Sequence, residues 1–293
     1  MSTPHLPPEA AQPVAQYHCT CGEGPLYDPA RNCVFWTDID TGRLFRIDCD
    51  THAHRQIYTG DPVGGFTLQT DGRLLLFRVR DIALLDPDSG SVQKVMDFHD
   101  DGSVRFNDTS AGPDGACYAG TIGKTATSGG LFKLTPDRQL SLLFRGTGCA
   151  NGMGWSPDRR TMYWTCSTRN TIFAYDFDPD AGTLANERVF HQVHDRKAFG
   201  TCDGLTVAAD GTVFSARWDG HGIYTYAPDG TPLQFIRLPV AKVTSMCFAG
   251  RDLRDLYITT AGRNESPDGL AGALFRVRVP QTGQLDFRSR IAV

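Results

Sequence analysis

An internal repeat constrains this chain more than any other feature of its sequence. A turn that begins with aspartate recurs six times, at intervals of 43, 43, 44, 52 and 42 residues. Repeats of this length are typical of solenoids and propellers, in which each unit buries its apolar face against its neighbours. The six turns are Asp28-Pro29, Asp71-Gly72, Asp114-Gly115, Asp158-Arg159, Asp210-Gly211 and Asp252-Leu253.

Each repeat contains the same series of strand-forming segments. A run rich in apolar and aromatic residues follows every turn, at residues 33–37, 74–78, 116–120, 161–165, 212–216 and 255–259. A further run follows in each unit, at residues 43–47, 81–85, 130–134, 171–175, 222–226 and 273–277. Such runs favour strands, and a second turn with a more polar fourth strand closes most units.

Six units of four antiparallel strands, with almost no helical periodicity, predict an all-β fold, a six-bladed β-propeller. A two-sheet sandwich is the alternative, but it would not produce six copies of both turns.

The repeat also sets the expected domain boundaries. We expect residues 1–14, which include Pro4, Pro7, Pro8 and Pro13, to form a flexible tail. Residues 15–293 are then a single propeller domain. The one long interval between turns indicates an insertion at residues 176–198, which we expect to be a surface loop between blades.

The composition argues against several classes of protein. The 29 basic and 33 acidic residues are interspersed, with a net charge of -4, so we expect no basic surface for nucleic acid or anionic lipid. No apolar run approaches the roughly 20 residues of a membrane helix. The nine cysteines include no CxxC pair. We therefore expect a cytoplasmic protein with a small-molecule substrate and no obligate protein partner.

Polar residues recur at one position of the repeat. Seven residues before the turn aspartate lie Gly64, Asn107, Asn151, Asp203 and Ser245, in the second to sixth units. The corresponding loop of the first unit is shorter, and its nearest candidate is Glu23. The first strand of each blade lines the central channel, so equivalent positions converge in space. We expect four oxygen-bearing residues to ring one end of the channel: Glu23, Asn107, Asn151 and Asp203.

Two carboxylates and two amides that face one another in a narrow channel would repel unless a cation lay among them. Oxygen ligands of this kind suit one divalent ion, with Ca²⁺, Mg²⁺, Mn²⁺ and Zn²⁺ all possible by ligand type.

Several motifs, in this order, resemble those of one protein family. They are Gly22-Glu23-Gly24-Pro25 followed by Phe35-Trp36-Thr37-Asp38-Ile39, then Arg105-Phe106-Asn107-Asp108, Asn151-Gly152-Met153-Gly154-Trp155, Asp203-Gly204 with Trp218, and Leu256-Tyr257-Ile258-Thr259-Thr260-Ala261. Over nearly its whole length after about residue 15, the chain resembles the gluconolactonase, regucalcin and senescence-marker-protein family.

The resemblance implies a six-bladed propeller that holds one divalent cation and hydrolyses sugar lactones to aldonic acids. It places the metal ligands at Glu23, Asn151 and Asp203, and the substrate contacts at Arg105 and Asn107. Our hypothesis for the mechanism is that the cation polarises the lactone carbonyl, while Asp203, or the water beside it, accepts a proton as general base.

Two positions depart from the family pattern. Cys202 precedes Asp203 where the family usually has Pro, and Cys166 stands where it usually has Asp. A thiol that reached the ion would favour a softer metal such as Zn²⁺ or Fe²⁺. A thiol that only fills space in the core would not.

Two other functions are compatible with these residues. The same metal site could hydrolyse a phosphotriester or a phosphofluoridate, or the chain could be a non-catalytic calcium-binding propeller. Arg105 beside Asn107 favours catalysis, because a purely structural ion site needs no arginine. A serine hydrolase is disfavoured, since the sequence has no GxSxG motif.

Overall fold

Strands make up most of the structure. The computed structural model describes residues 5–6, for which only the backbone is considered, and residues 10–265 and 269–293. In the first half of the chain the strands are β1 (His5–Leu6), β2 (Gln12–Gln16), β3 (Gly22–Asp28), β4 (Cys33–Asp38), β5 (Arg43–Asp48), β6 (His54–Thr59), β7 (Val63–Leu68), β8 (Leu74–Arg78), β9 (Asp81–Leu85), β10 (Val92–Asp97), β11 (Ser103–Ala111), β12 (Cys117–Gly123), β13 (Gly129–Leu134) and β14 (Leu140–Thr147). The second half contains β15 (Ala150–Trp155), β16 (Thr161–Cys166), β17 (Thr171–Asp178), β18 (Thr183–Gln192), the helix α1 (Arg196–Phe199), β19 (Thr201–Val207), β20 (Val213–Trp218), β21 (Gly222–Tyr226), β22 (Pro232–Arg237), β23 (Val243–Ala249), β24 (Asp255–Thr260) and β25 (Ala273–Arg278).

These strands form six antiparallel sheets arranged as blades around a channel. From the channel outwards, the blades are β3-β4-β5-β6, β7-β8-β9-β10, β11-β12-β13-β14, β15-β16-β17-β18, β19-β20-β21-β22 and β23-β24-β25-β2. The innermost strands β3, β7, β11, β15, β19 and β23 contact one another in that order, and β23 returns to β3. The predicted six-bladed β-propeller is confirmed. No helix in the described parts of the chain is long and apolar enough to cross a membrane.

The N-terminal segment closes the ring. Strand β2 is the outermost strand of the last blade, where Gln12 pairs with Arg276 and Gln16 with Ala273. The sixth blade therefore combines strands from both ends of the chain. The boundary that we predicted between tail and domain, at residue 15, falls inside this strand. Strand β1 adds to the fifth blade in parallel with β22, and residues 1–4 and 7–9 of the predicted tail lie outside the described residues.

The insertion at residues 176–198 is largely ordered as strand, which corrects the expectation of a surface loop. Strands β17 and β18 extend into a long hairpin in which Phe177 pairs with Leu184. The Phe177 ring packs against Trp155 of the same blade with centroids 4.7 Å apart, so the extra length covers apolar surface. Helix α1 follows, and the Asp195 side chain caps its N-terminus.

The innermost strands approach one another so closely that side chains are excluded at some points. A Cβ atom on Gly152 would lie 2.3 Å from the backbone nitrogen of Leu205, and one on Gly64 would lie 2.1 Å from the carbonyl oxygen of Phe106. Gly64 occupies the ring position of the second blade, where the Phe106 backbone of the third blade leaves no room for a side chain.

The C-terminal segment (residues 280–293) crosses the opposite end of the channel. The Gln284 side chain donates to the carbonyl of Trp155 at 2.7 Å, and the Ser289 amide donates to the carbonyl of Leu68 at 2.9 Å. Further contacts join Gly283 to Leu253, and Arg288 to Asp28. These bonds connect blades on different sides of the ring, so the segment holds the propeller together at the end that carries the six aspartate turns.

We predict that Gly64→Ala lowers the free energy of unfolding by about 1–3 kcal/mol, since a methyl group must displace the Phe106 backbone. Urea denaturation followed by tryptophan fluorescence measures this change. The control Gln93→Ala, on the exposed outer strand β10, should stay within about 0.5 kcal/mol of the wild type. Equal stability of the Gly64 variant and the control would contradict the predicted close packing.

Candidate active site

The structure brings all five predicted site residues to one cavity. The cavity has a volume of about 260 Å³ and lies at the end of the channel where the innermost strands begin. Its walls are formed by Cys21, Glu23, Ile39, Arg105, Asn107, Ile122, Cys149, Asn151, Ser167, Thr201, Cys202, Asp203, Trp218 and Arg263. Eight of these fourteen residues have polar or charged side chains, and the others give the cavity apolar surface as well, so it can bind a ligand of modest size through hydrogen bonds and apolar contacts.

A β-bulge in each innermost strand sets the direction of the site side chains. The pairing of the first strand with the second loses register between Glu23 and Leu26, Val63 and Gly65, Phe106 and Thr109, Asn151 and Met153, Cys202 and Leu205, and Val243 and Ser245. A bulge leaves residues without a ladder partner and re-aims their side chains. Asn107 and Asp203 lie within this irregularity without a ladder partner, and Glu23 and Asn151 are the last paired residues before it.

A chain of hydrogen bonds crosses the cavity from the third blade to the fifth. Arg105 Nη1 donates to Asn107 Oδ1 at 2.7 Å, and Asn107 Nδ2 donates to Asn151 Oδ1 at 2.6 Å. Asn151 Nδ2 donates to Ser167 Oγ at 2.7 Å, and Ser167 Oγ donates to the Cys202 carbonyl at 2.5 Å. Arg105 and Asn107, the predicted substrate contacts, are thus hydrogen-bonded to each other, and Asn107 is hydrogen-bonded in turn to the predicted metal ligand Asn151.

Three buried carboxylates share this end of the channel. Burial and the charges of Asp108 and Asp203 raise the pKa of Glu23 well above its usual value. Burial and the charge of Asp108 likewise raise the pKa of Asp203, against a lowering effect of Arg217. Burial raises the pKa of Asp108 to about 7, while Arg105 opposes the shift. Carboxylates placed in this way hold protons unless a positive charge compensates them.

Two charged residues of this region, Asp108 and Arg217, have no role assigned from the sequence. Asp108 follows Asn107 within the bulge and lines a smaller cavity of about 60 Å³ farther along the channel. Arg217 is fully buried and lies opposite Cys202 in the strand pair, where its charge acts on Asp203. The sequence could have indicated Asp108, because it is an acidic residue directly after the ring position Asn107. Nothing in the repeat pattern singles out Arg217.

The mouth of the cavity has an aromatic and basic rim. Trp218 lies at the end of β20, and the cations of Lys242 and Arg263 each lie 5.9 Å from its ring centroid. Lys242 pairs with Glu265 at 2.5 Å, and Arg263 pairs with Asp40. These ion pairs hold both cations beside the indole ring, where they can interact with its π system.

The two cysteines that depart from the family pattern are core residues. Cys166 is fully buried in an apolar cluster with Trp164 and Phe173, and its sulfur lies 3.1 Å from the Thr147 hydroxyl. Cys202 packs with Tyr163 and Val193, although it also borders the cavity. Burial raises the pKa of the Cys202 thiol, so the thiolate form that binds metals is disfavoured.

The donor set of Glu23, Asn151 and Asp203 fits a divalent cation. A cation would compensate two buried carboxylates whose pKa values are raised by burial and by nearby negative charge. Within residues 10–265 and 269–293, no three His, Cys, Asp or Glu side chains form a metal-binding group. A site at this position therefore depends on the amide oxygen of Asn151.

Comparisons with known proteins agree with this fold and with the family resemblance. A sequence profile described as the SMP-30/gluconolactonase/LRE-like region matches residues 21–262. The pentonolactonase XacC of Haloferax volcanii is 37% identical over 289 residues, which cover 95% of this chain and 97% of that protein. Human regucalcin is 28% identical over 274 residues, which cover 89% of this chain and 91% of regucalcin.

A solved structure, described as the calcium-binding protein regucalcin of Agrobacterium tumefaciens, has the same fold. It matches with a TM-score of 0.88 at 22% identity, and the match covers 95% of this chain and 97% of that one. The family resemblance inferred from the motifs is confirmed, and the chain belongs to the SMP-30/gluconolactonase/LRE-like family.

Proposed function

We propose that this chain is a metal-dependent sugar lactonase that opens aldonolactones to aldonic acids. One observation carries the proposal: Glu23, Asn151 and Asp203 line the same cavity as the hydrogen-bonded pair of Arg105 and Asn107. The proposed cation ligands and the proposed hydrogen-bond donors to a hydroxylated substrate therefore line one cavity. The similarity to a pentonolactonase over nearly the whole length of both chains supports this substrate class.

The residues that would hold the cation are Glu23, Asn151 and Asp203, and Ca²⁺, Mg²⁺, Mn²⁺, Zn²⁺ and Fe²⁺ are the candidate ions. When bound, a divalent cation polarises a carbonyl group and makes nearby water more acidic. The two carboxylates neutralise its charge, and their burial keeps bulk water from competing for it.

Asp203 is the proposed general base. It is buried beside the cavity, where desolvation and the charge of Asp108 raise its pKa. The positive charge of Arg217 opposes this shift, and a bound cation would favour the ionised form further. Asp203 accepts a proton from the water whose oxygen forms a bond with the lactone carbonyl carbon. The ring C–O bond then breaks, and the leaving oxygen takes up a proton, so that lactone and water give one hydroxy acid.

Arg105 and Asn107 are the proposed substrate contacts. Arg105 Nη1 is held by the Phe106 carbonyl at 2.8 Å and by Asn107 Oδ1. The other guanidinium nitrogens remain available to donate to oxygens of the substrate. Fixing the sugar ring in this way orients the carbonyl carbon toward the attacking water, which lowers the entropic part of the barrier.

A cytoplasmic location accompanies this proposal. All nine cysteines are free thiols, and most of them are buried. Free thiols persist in reducing compartments, where disulfides are rare.

We predict that the metal-stripped chain has no lactonase activity and that one of the five ions restores it. Initial hydrolysis rates on a panel of γ- and δ-aldonolactones measure this.

Asp203→Asn should lower kcat/KM by about 10²–10⁴-fold, because the variant lacks the base. The control Asp210→Asn, in the turn at the other end of the same blade, should leave the rate unchanged because asparagine also forms this turn.

Uncatalysed rates for every lactone with every ion would overturn the lactonase proposal. Parallel assays with a phosphotriester and a phosphofluoridate then test the second hydrolytic function. Calcium binding without any turnover would instead identify a calcium-binding propeller.

We predict that Arg105→Met mainly raises KM. Methionine keeps much of the aliphatic volume but loses donors to the substrate, and hydrogen bonds to charged groups contribute about 1.5–3 kcal/mol. The expected loss in kcat/KM is roughly 10–100-fold by the same estimate. Arg55→Met, on the exposed outer strand β6, is the matched control. An unchanged KM in the Arg105 variant would show that this guanidinium does not bind substrate.

In the metal-free chain, Asp108 should make folding less favourable as the pH rises from about 4 to about 7. The pKa of Asp108 is raised to about 7, so the folded chain retains a proton that the unfolded chain has released. The resulting penalty is absent below pH 4, grows through this interval and is constant above it. Asp108 should therefore lower the free energy of unfolding at pH 8 relative to pH 5 by on the order of 2 kcal/mol, against the opposite contribution of His191, whose pKa burial lowers to about 4. Urea denaturation with EDTA, on the wild type and on Asp108→Asn, measures this contribution.

Asp108→Asn should reduce this difference, since asparagine does not titrate. Identical pH dependence in the variant and the wild type would show that Asp108 is not the group responsible.

A further inference from the structure

The hydrogen-bond chain across the cavity has a direction that its two ends impose. At one end, the Arg105 guanidinium can only donate; at the other, the Cys202 carbonyl can only accept. The Ser167 hydroxyl has one proton, and it gives that proton to the Cys202 carbonyl at 2.5 Å. Ser167 Oγ must therefore accept from its other neighbour, Asn151, at 2.7 Å.

This direction decides which end of the Asn151 amide faces the site. Because Nδ2 is bonded to Ser167, Oδ1 is directed toward Asn107 and the cavity. Only the amide oxygen can bind a cation, since the amide nitrogen has no lone pair for it. A flip of Asn151 would also place its Nδ2 against the Asn107 Nδ2, and two donors would then face each other.

Within the described residues, Ser167 Oγ is the one strong acceptor bonded to Asn151 Nδ2, and the Asn107 amide supplies the matching donor to Asn151 Oδ1. The Cys149 sulfur lies 3.5 Å from Asn151 Nδ2, and sulfur is a weak acceptor. Ser167 is itself fixed on the opposite side, because its amide donates to the Cys149 carbonyl at 3.0 Å and its carbonyl accepts from Arg196 at 2.8 Å. These two hydrogen bonds hold the Ser167 backbone in place, and with it the hydroxyl group.

We propose that Ser167 is a positioning residue for the metal site, which orients the Asn151 amide oxygen toward the cation. It also holds the carbonyl of Cys202, the residue directly before Asp203, and so connects two of the three ligands across neighbouring blades. The inference rests on the proposed metal-dependent function. Ser167 does not contact the reacting atoms; it acts through Asn151 and Asp203.

Calorimetric titration of the metal-stripped full-length chain with Ca²⁺, Mg²⁺, Mn²⁺, Zn²⁺ or Fe²⁺ tests this inference. For the ion that binds the wild type most tightly, Ser167→Ala should raise Kd by about 10–100-fold, the usual effect of removing a partner of a metal ligand. Ser167→Thr should stay within about threefold of the wild type, since it keeps the hydroxyl.

Lactonase assays over a range of metal concentration give an independent signature. The Ser167→Ala chain should need more metal for half-maximal turnover but approach the wild-type kcat at saturation, because the bound cation then orients the amide itself. The matched control is Ser103→Ala, which removes another buried and bonded hydroxyl, from the third blade. The control should bind the metal like the wild type, and thermal unfolding should show that each variant is folded.

The possible outcomes separate this inference from the proposed function. If the wild type binds none of the five ions, the metal-dependent function itself is wrong. If the wild type binds an ion and Ser167→Ala binds it equally well, the function stands and the positioning role is wrong. An affinity loss in Ser167→Thr or Ser103→Ala as large as that in Ser167→Ala would also overturn the role, because the effect would not belong to the Ser167 hydroxyl.

Discussion

The close approach of six innermost strands around one channel is the constraint on which this structure depends. Where two backbones meet, as at Gly152 against Leu205, no side chain fits between them. At the same level, each innermost strand loses register with the second strand of its blade, and the predicted site residues lie at or beside this irregularity. The geometry that closes the ring therefore also creates the site.

Burial at this end of the channel has an electrostatic cost. Desolvation raises the pKa values of Glu23, Asp108 and Asp203. The charge of Asp108 raises those of Glu23 and Asp203 further, and the charge of Asp203 adds to the shift of Glu23. Arg105 and Arg217 compensate only part of this negative charge. A site that is strained in this way without a cation binds one more strongly, because binding removes the repulsion as well as adding ligand bonds.

The repeat made much of the architecture predictable. The aspartate turns and the aromatic strands after them fix the number of blades, and alignment on the turns identified Asn107, Asn151 and Asp203 as neighbours in space. Glu23 was found less directly, since the loop of the first repeat is shorter. Alignment alone did not show which of these residues bind the metal and which contact the substrate. The family motifs assigned those roles.

Other features could not be predicted because they involve contacts between repeats. The hairpin of β17 and β18 looked like a loop because its residues are polar where it is exposed, and its buried contact with Trp155 is not local. Ser167 lies outside the aligned ring position, and its importance follows only from the carbonyl of the next blade.

The sequence by itself determined the number of blades, most of the strands in them and the residues at each ring position, because periodic patterns and turn residues act locally. It did not show that β2, from the other end of the chain, completes the sixth blade. Only the tertiary structure decided which way those residues point, how far their pKa values shift and which amide atom faces the cavity. These properties arise from bulges, burial and hydrogen bonds between blades. Each depends on groups that are distant in sequence and become neighbours only when the ring closes.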